Sequence, residues 1–176
     1  MQAPGCCGPQ EFREAMAQFP SGVAIVTTAG PAGQWGLTAS AVCSVSDDPP
    51  TVLVCVNRSS RANPMIRENR AVAINLLAAN QSHLAARFAS KTAQDVQAEF
   101  LGPHWLAPAG EPPVLCNAAA WLRGRLAEPI EVASHTVFIV AIDRLQCGAG
   151  HLPAVYHRRS FAALQLSSNH HARSTS

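Results

Sequence analysis

The sequence is short of charge, and this shortage excludes several classes of protein. Only 14% of its 176 residues are Asp, Glu, Lys or Arg, against about 25% in an average globular chain. No block of Lys or Arg is present, so the electrostatic footprint of a nucleic-acid or membrane-surface protein is missing. We therefore expect no nucleic-acid partner. A surface with so little charge also predicts that part of it is covered in a homo-oligomer.

Segments that would direct the chain to or through a membrane are also lacking. The N-terminus, MQAPGCCGPQ, has neither a basic start nor an apolar run of signal-peptide length, and no apolar stretch approaches the length of a bilayer span. These absences predict a cytoplasmic protein with no membrane partner. Residues 1–10 and 167–176 are predicted to be disordered tails of a single domain at 11–166, because this length suffices for one large core.

Motifs for metal, dinucleotide and hydrolase chemistry are missing as well. None of the six cysteines forms a C-x-x-C pair, and Cys43, Cys55 and Cys116 lie in apolar segments that predict buried free thiols. The sequence has no G-x-S-x-G and no P-loop, and its nearest dinucleotide fingerprint, Gly148-Ala149-Gly150, lacks the third glycine. Outside the C-terminal tail no histidines stand at metal-ligand spacing, so no metal site is predicted.

The sequence does contain a series of short β-branched segments with few helices between them. Periodicity predicts strands at 22–28, 36–46, 51–57, 71–77, 118–132, 135–146 and 153–166, and short helices at 11–19, 63–69 and 80–91. A Gly/Pro turn at 29–33 predicts that the first two strands pair as a hairpin. Asp47-Asp48-Pro49-Pro50 must turn the chain, since proline cannot donate to a sheet ladder. Strands without long intervening helices indicate an antiparallel barrel rather than a doubly wound sheet.

The segment at 36–46, GLTASAVCSVS, has small side chains for a strand. One face carries Leu37, Ala39, Ala41, Cys43 and Val45, and the other carries Thr38, Ser40, Val42, Ser44 and Ser46. Small side chains let a flat ligand approach the backbone, and hydroxyl and N–H groups can bond the polar rim of a heteroaromatic ring such as a flavin. A strand whose hydroxyl face meets solvent is the alternative.

A polar loop follows the next strand and favours phosphate. Asn57-Arg58-Ser59-Ser60-Arg61 combines two cations and two hydroxyls just before a predicted helix start, where Asn63 is expected to be the N-cap and Pro64 to lie in the first turn. Free N–H groups and the helix dipole both attract anions at such a position. Lys91 could supply another positive charge. A loop of solvated arginines is the alternative.

These segments together resemble one known family. FREAMAQF, SGVAIVTT, GLTASAVCSVSDDPPTVLVCVNRSS, AINLL, SHTVFIV and VYHRRSF stand in the order found in the flavin reductase family with an FMN-binding split barrel. The likeness spans roughly residues 11–165 and is closest to the NAD(P)H-dependent reductase components of two-component aromatic monooxygenases. It implies a mainly β fold: a homodimeric, six-stranded antiparallel Greek-key split β-barrel with a few short flanking helices.

The resemblance also implies site residues. Bound FMN or FAD would lie along Thr38, Ala39 and Ser40, with Ser44, Val45 and Ser46 at its polar edge. The other implied cofactor-binding residues are Cys55 and Asn57 on the next strand, Ser60 and Lys91 at the phosphate, Asn75 and Phe88 as pocket walls, and Tyr156 beside flavin or nicotinamide. A tyrosine packed at a barrel rim is the alternative for Tyr156.

His135 is the candidate catalytic residue. Many members of the family have Gly-Asp-His where this chain has Ala133-Ser134-His135, so the imidazole lacks one possible acidic partner. His135 would position the nicotinamide or assist protonation of reduced flavin, since histidine titrates near neutral pH. A histidine that only caps a strand end is the alternative.

The implied function is hydride transfer from NADH, or alternatively NADPH, to FMN or FAD. Reduced flavin would then diffuse to a partner monooxygenase. Two alternatives stay open: a reductase whose flavin serves a corrinoid or other metal centre, and a flavin-binding module without enzymatic activity. The sequence does not distinguish FMN from FAD, and it does not identify the substrate of the partner.

Overall fold

A computed structural model describes residues 7–89 and 93–164. The helices of these residues are α1 (Pro9–Met16), α2 (Ala62–Asn69), a 3-10 turn (Ala79–Gln81), α3 (His83–Ala89) and α4 (Ala93–Phe100). The strands are β1 (Ser21–Gly22), β2 (Ala24–Thr28), β3 (Trp35–Ala39), β4 (Val42–Asp47), β5 (Pro50–Asn57), β6 (Ala71–Leu76), β7 (Trp105–Leu106), β8 (Val114–Leu115), β9 (Ala120–Leu126), β10 (Ile130–Val132), β11 (His135–Cys147), β12 (Ala154–His157) and β13 (Ser160–Ala163).

The main sheet is antiparallel and curls so that its two edges meet. Its strands follow the order β3-β2-β6-β9-β11-β5-β4, and β10 joins by pairing with β11. The edge strands β3 and β4 are consecutive in the chain and are joined only by Ser40 and Ala41. The predicted class, a mainly β antiparallel split barrel, is confirmed. Its eight-stranded sheet exceeds the six strands predicted.

The segment predicted as one strand at 36–46 is divided by a bend at Ser40–Ala41. Its first half, β3, pairs with β2 in the predicted hairpin, with Ala24 opposite Ala39. Its second half, β4, pairs with β5, and the Cys55 amide donates to the Ala41 carbonyl at 3.0 Å. The single-strand prediction is wrong because the chain changes pairing partner here, and periodicity within a strand carries no information about which strand it pairs with.

The starts of three helices also differ from the prediction. Helix α1 begins at Pro9, inside the predicted tail at 1–10. Helix α2 is capped at Arg61 rather than Asn63, and Asn63 is a buried residue whose side-chain amide donates to Thr136 Oγ1 at 2.9 Å. The predicted helix at 80–91 begins as a separate 3-10 turn, and α3 starts only at His83. Residues 93–116, for which the sequence predicted no helix or strand, contain α4 and the short β7–β8 pair.

An aromatic cluster fixes α3 against β3. The rings of Phe88, Phe100 and Trp105 meet at centroid distances between 5.1 and 5.7 Å, and all three are buried. Gly36 of β3 lies directly beneath, where a Cβ atom would stand 2.7 Å from the Phe88 ring. A glycine is therefore required for this close approach.

The chain ends described by the structure meet in a second, smaller sheet of β1, β12 and β13. The β12–β13 turn is tied to the end of α1, because the Arg158 amide donates to the Ala17 carbonyl at 2.9 Å.

The predicted tail at 167–176 lies outside the described residues. Within the described ranges no helix is both long enough and apolar enough to cross a membrane. Cys43 is exposed and Cys55 and Cys116 are half-buried, which corrects the burial predicted for these three thiols.

Candidate active site

A cleft of about 250 Å³ lies between the end of β3 and one face of α3. We call it the α3 cleft. Its walls are small hydroxyl or methyl side chains on one side and two aromatic rings on the other, contributed by Val23, Thr38, Ser40, Ala85, Ala86, Ala89, Tyr156 and Phe161. The rings of Tyr156 and Phe161 pack edge to face at 5.3 Å.

The shape of the α3 cleft follows from local packing. The Thr38 hydroxyl donates to the Ala85 carbonyl at 2.6 Å, which holds α3 beside the strand. Because β3 is an edge strand, alternate backbone N–H and C=O groups on its outer side have no partner strand. Ser40 is exposed and adds a hydroxyl that has no hydrogen-bond partner among the described residues. A narrow slot with alanine walls and polar groups along one rim fits a flat heteroaromatic ring.

A second cleft of about 160 Å³ lies on the other side of α3 and is called the loop cleft. Its lining residues are Trp35, Gly36, Leu37, Ser60, Arg61, Phe88 and Ala89. Ala89 lines both clefts. The Arg61 guanidinium lies over the Trp35 ring at 5.7 Å, and among the described residues no carboxylate pairs with it. This cationic corner fits a phosphate group.

The loop at 57–61 is held in shape by Asn57. The side-chain oxygen of Asn57 accepts from the Ser59 amide at 2.9 Å and from the Ser59 hydroxyl at 2.8 Å. The Ser60 hydroxyl accepts from the Ala62 amide at 3.3 Å. Asn57 therefore organises the loop through its side-chain oxygen rather than presenting that atom to a ligand.

His135 opens β11 directly opposite Asn57 of β5. The Ser134 hydroxyl lies 2.9 Å from His135 Nδ1, so a hydroxyl stands where many members of the family have an acid. Ala133 has a positive φ of 48°. Glycine is the residue that adopts this left-handed conformation without strain.

A polar network joins the His135 hairpin to the loop at 57–61. Glu131 of β10 forms ion pairs with Arg58 and Arg67, and Arg67 also donates to Thr136 Oγ1 at 2.9 Å. Thr136 is fully buried and accepts from Asn63 as well. Sequence reasoning missed this network, because no spacing relates residues 67 and 131 before the fold brings them together.

The predicted site residues fall into separate groups. Thr38, Ser40 and Tyr156 line the α3 cleft, and Ser60 and Phe88 line the loop cleft. Ala39 is buried beneath them, with 8% of its surface exposed. The two clefts meet at the end of α3, which brings five of the predicted residues to one side of the barrel.

Other predicted residues lie beyond the bend at Ser40–Ala41. Ser44, Val45 and Ser46 are on β4, where the ladder shifts by one residue at Val45. Cys55 lies beside the bend through its amide bond to Ala41. These residues line neither the α3 cleft nor the loop cleft as the described residues form them.

Asn75 joins neither group. Asn75 has no exposed surface, its amide nitrogen donates to the Ile25 carbonyl at 3.0 Å, and its oxygen accepts from the Leu115 amide at 2.8 Å. The structure therefore places it inside the barrel, fastening β2 to β8, and not in a pocket wall as expected. Lys91 lies outside the described residues.

The geometry agrees with what comparison with known proteins finds. A family model described as a flavin reductase like domain matches residues 16–165. The chain belongs to the flavin reductase family. The 4-hydroxyphenylacetate 3-monooxygenase reductase component of Pseudomonas aeruginosa is 38% identical over 89% of this chain and 92% of that protein. This family is one of oxidoreductases, so the predicted family and enzyme class are confirmed.

Two further relatives show that this flavin reductase is matched along most of its length. FMN reductase (NADH) RutF 2 of Methylorubrum extorquens is 41% identical over 92% of each chain. The structure of BorF, the flavin reductase component of a bacterial two-component tryptophan halogenase, superposes with a TM-score of 0.83 at 27% identity, covering 91% of this chain and 100% of BorF.

Proposed function

We propose that this chain transfers a hydride from NADH to FMN or FAD and supplies the reduced flavin to a partner monooxygenase. The observation that carries the proposal is the meeting of a flat slot and a cationic corner at Ala89. The names of the relatives support this function over a corrinoid-serving reductase or a flavin-binding module without activity.

The residues of the two clefts would hold the flavin at its two ends. The ring fits between β3 and the alanines of α3, beside Tyr156, and the phosphate fits near Ser60 and Arg61. When bound, flavin supplies a central-ring nitrogen that accepts the hydride. Ser44, Val45, Ser46 and Cys55, across the bend from the α3 cleft, would border the polar edge of the ring.

The protein would then contribute to catalysis by positioning the nicotinamide and flavin rings. Stacking the nicotinamide on the ring at hydride-transfer distance, with water excluded between them, accounts for catalysis without a strong acid or base. His135 stands at the exposed end of β11, where it can orient the nicotinamide carboxamide or donate a proton after the transfer.

NADH oxidation measured with and without FMN, FAD and riboflavin tests the proposal. We expect oxidation that depends on added flavin, and FMN and FAD should both outperform riboflavin because riboflavin lacks a phosphate for the loop cleft. If no flavin supports a rate, the proposed function is wrong.

Replacement of His135 tests its role separately. If His135 donates the proton, His135→Ala should lower turnover at least about a hundredfold, which is the lower end of what a positioned proton-transfer group contributes. If His135 orients the nicotinamide, the same change should raise the KM for NADH. His151→Ala is the matched control, since His151 is also exposed but, unlike His135, lies on no strand that pairs with Asn57. Unchanged turnover and unchanged NADH affinity in His135→Ala would remove this residue from the site.

Transfer of reduced flavin to a monooxygenase requires that flavin leave the protein. The α3 cleft is shallow and bounded by alanines, which favours modest affinity. We expect flavin to separate from the protein during gel filtration. Stoichiometric retention of flavin, without NADH oxidation, would instead favour the flavin-binding module.

A homodimer is supported by apolar side chains exposed near the site. Val45 of β4, Ile130 and Val132 of β10 and Leu145 of β11 each expose more than half of their surface, between 52% and 58%. Ile130 and Val132 lie on the same face of β10, and exposed apolar residues that lie together mark interaction surfaces. Light scattering should give twice the chain mass, and Val132→Asp should lower it towards the monomer. A monomeric wild-type protein would contradict the proposal.

A further inference from the structure

A third cleft, of about 470 Å³, opens between the end of α1 and the β12–β13 turn. Its lining residues are Arg13, Met16, Ala17, Phe19, Ser21, Ser40, Tyr156, Arg158 and Arg159. We call it the arginine cleft. Three of its nine lining residues are arginines and none is acidic, so it attracts anions.

The arginines of this cleft are not neutralised by the described part of the chain. Arg158 donates through Nε to the neutral Gln18 side chain at 2.9 Å, and the described ion pairs involve none of the three arginines. Arg58 and Arg67 differ, because both face Glu131. The cationic groups of the arginine cleft are therefore available to a ligand.

The turn that carries two of these arginines is built in a costly backbone conformation. Arg158 and Arg159 have positive φ values of 48° and 62°, and His157 pairs with Ser160 across them. A two-residue hairpin turn of this kind favours Asn-Gly, since β-carbons are strained there. The turn presents two adjacent guanidinium groups at a position where less strained residues would serve the fold alone.

The arginine cleft is continuous with the α3 cleft. Ser40 and Tyr156 line both of them. A ligand with a flat ring in the α3 cleft and an anionic group several bonds away would therefore reach the arginines. A dinucleotide has this construction, with a diphosphate between its two nucleosides.

We propose that the arginine cleft binds the diphosphate of a dinucleotide whose ring end lies at the α3 cleft. This inference rests on the proposed function. Both NADH and FAD carry such a diphosphate, whereas reduced nicotinamide mononucleotide and FMN do not. The flavin phosphate nearest the ring already has the loop cleft, so NADH is the ligand we expect.

The test replaces charge without adding backbone strain. Arg159→Asn removes the guanidinium while keeping a residue that tolerates positive φ, and Arg159→Lys retains the charge. Arg13→Gln tests the opposite wall of the cleft. Arg125→Asn is the matched control, because Arg125 is exposed on β9 and lines a different cavity. Thermal unfolding of each variant shows whether the fold is retained.

For Arg159→Asn and Arg13→Gln we expect the KM for NADH to rise at least about tenfold, the loss typical of one charge-assisted contact. The KM for reduced nicotinamide mononucleotide and the Kd for FMN should not change. Arg159→Lys should restore part of the NADH affinity, and raising the salt concentration should weaken NADH binding more in the wild type than in Arg159→Asn.

Binding measurements with FAD and FMN show whether the diphosphate in the cleft belongs to NADH or to FAD. A Kd that rises for FAD but not for FMN, with the NADH KM unchanged, supports the cleft and assigns it to FAD. Unchanged binding of both dinucleotides overturns the proposal. Equal weakening of all four ligands also overturns it, because the cleft would then not recognise diphosphate.

Calorimetric binding of NADH and FAD keeps this test separate from the proposed function. If the wild-type protein oxidises NADH with flavin and the arginine variants bind as the wild type does, only the cleft assignment fails. If the wild type has no flavin-dependent rate, the proposed function fails, and the binding measurements still decide whether the cleft holds a diphosphate.

Discussion

Two hairpin turns of this flavin reductase have the same length and opposite surroundings. The β10–β11 turn contains Ala133 and Ser134, and the β12–β13 turn contains Arg158 and Arg159. Both turns force at least one non-glycine residue to positive φ. Beside the first turn, Glu131 neutralises the nearby cations, whereas the described residues place no acid beside the second.

The difference separates charges that hold the fold from charges that face a ligand. Beside the β10–β11 turn, arginines, Thr136 and Asn63 form hydrogen bonds and ion pairs that link the His135 hairpin to the loop at 57–61. In the β12–β13 turn the arginine side chains are anchored, within the described part of the chain, only through one bond from Arg158 to Gln18. The backbone conformation of the first turn positions His135, and that of the second turn presents Arg158 and Arg159.

The largest loss of stability should come from replacing Thr136, the buried residue that supports the first turn. Thr136→Val removes the hydroxyl that accepts from Asn63 and Arg67, each at 2.9 Å. A buried donor left without an acceptor costs about 2 kcal/mol of unfolding free energy. Urea denaturation measures this loss, and Thr136→Ser, which keeps the hydroxyl, should be less destabilised. A valine variant as stable as the wild type would show that the network does not support the turn.

A smaller effect is expected from the acid that neutralises the cations. Glu131→Gln removes the ion pairs with Arg58 and Arg67. These side chains are between 36% and 56% exposed, so solvent screening limits the loss to about 0.5 kcal/mol at low salt. The difference from the wild type should vanish at high salt. Glu128→Gln on the exposed neighbouring segment is the control, and equal losses in both variants would contradict a specific role.

The smallest effect concerns the strained backbone of both turns. Ala133→Gly and Arg159→Gly should each raise the unfolding free energy by about 0.5 kcal/mol, because relief of left-handed strain slightly exceeds the entropy cost of glycine. Arg159→Gly should also weaken NADH binding, so stability and affinity would change in opposite directions. Glycine variants that are less stable than the wild type would show that the turns are not strained.

Local patterns predicted much of the fold. The β2–β3 hairpin, the proline turn after β4, strand β5 and helix α2 all follow from residue periodicity and turn chemistry. The bend at Ser40–Ala41 did not, because both halves of that segment alternate as strands do. Asn63 was expected to cap a helix, and instead it donates to Thr136, a residue distant in sequence.

The candidate site likewise contains residues that line the clefts as their motifs indicated and residues that do not. Thr38, Ser40, Ser60 and Tyr156 were recognisable from motifs and line the clefts. Asn75 stands in an equally recognisable motif, yet both polar atoms of its side chain form hydrogen bonds with backbone groups inside the barrel. A motif specifies which residues are present, and it does not specify which of two faces of a strand reaches a cavity.

The sequence by itself determined the strands, the turns and the family of this protein, because these depend on side-chain sizes, backbone preferences and order over short distances. Tertiary structure alone decided that Glu131 faces Arg58 and Arg67 and that Arg13 shares a cleft with Arg159. The reason is physical: whether a charge is neutralised depends on which groups lie within a few ångströms, and only the closed barrel brings such distant residues that near.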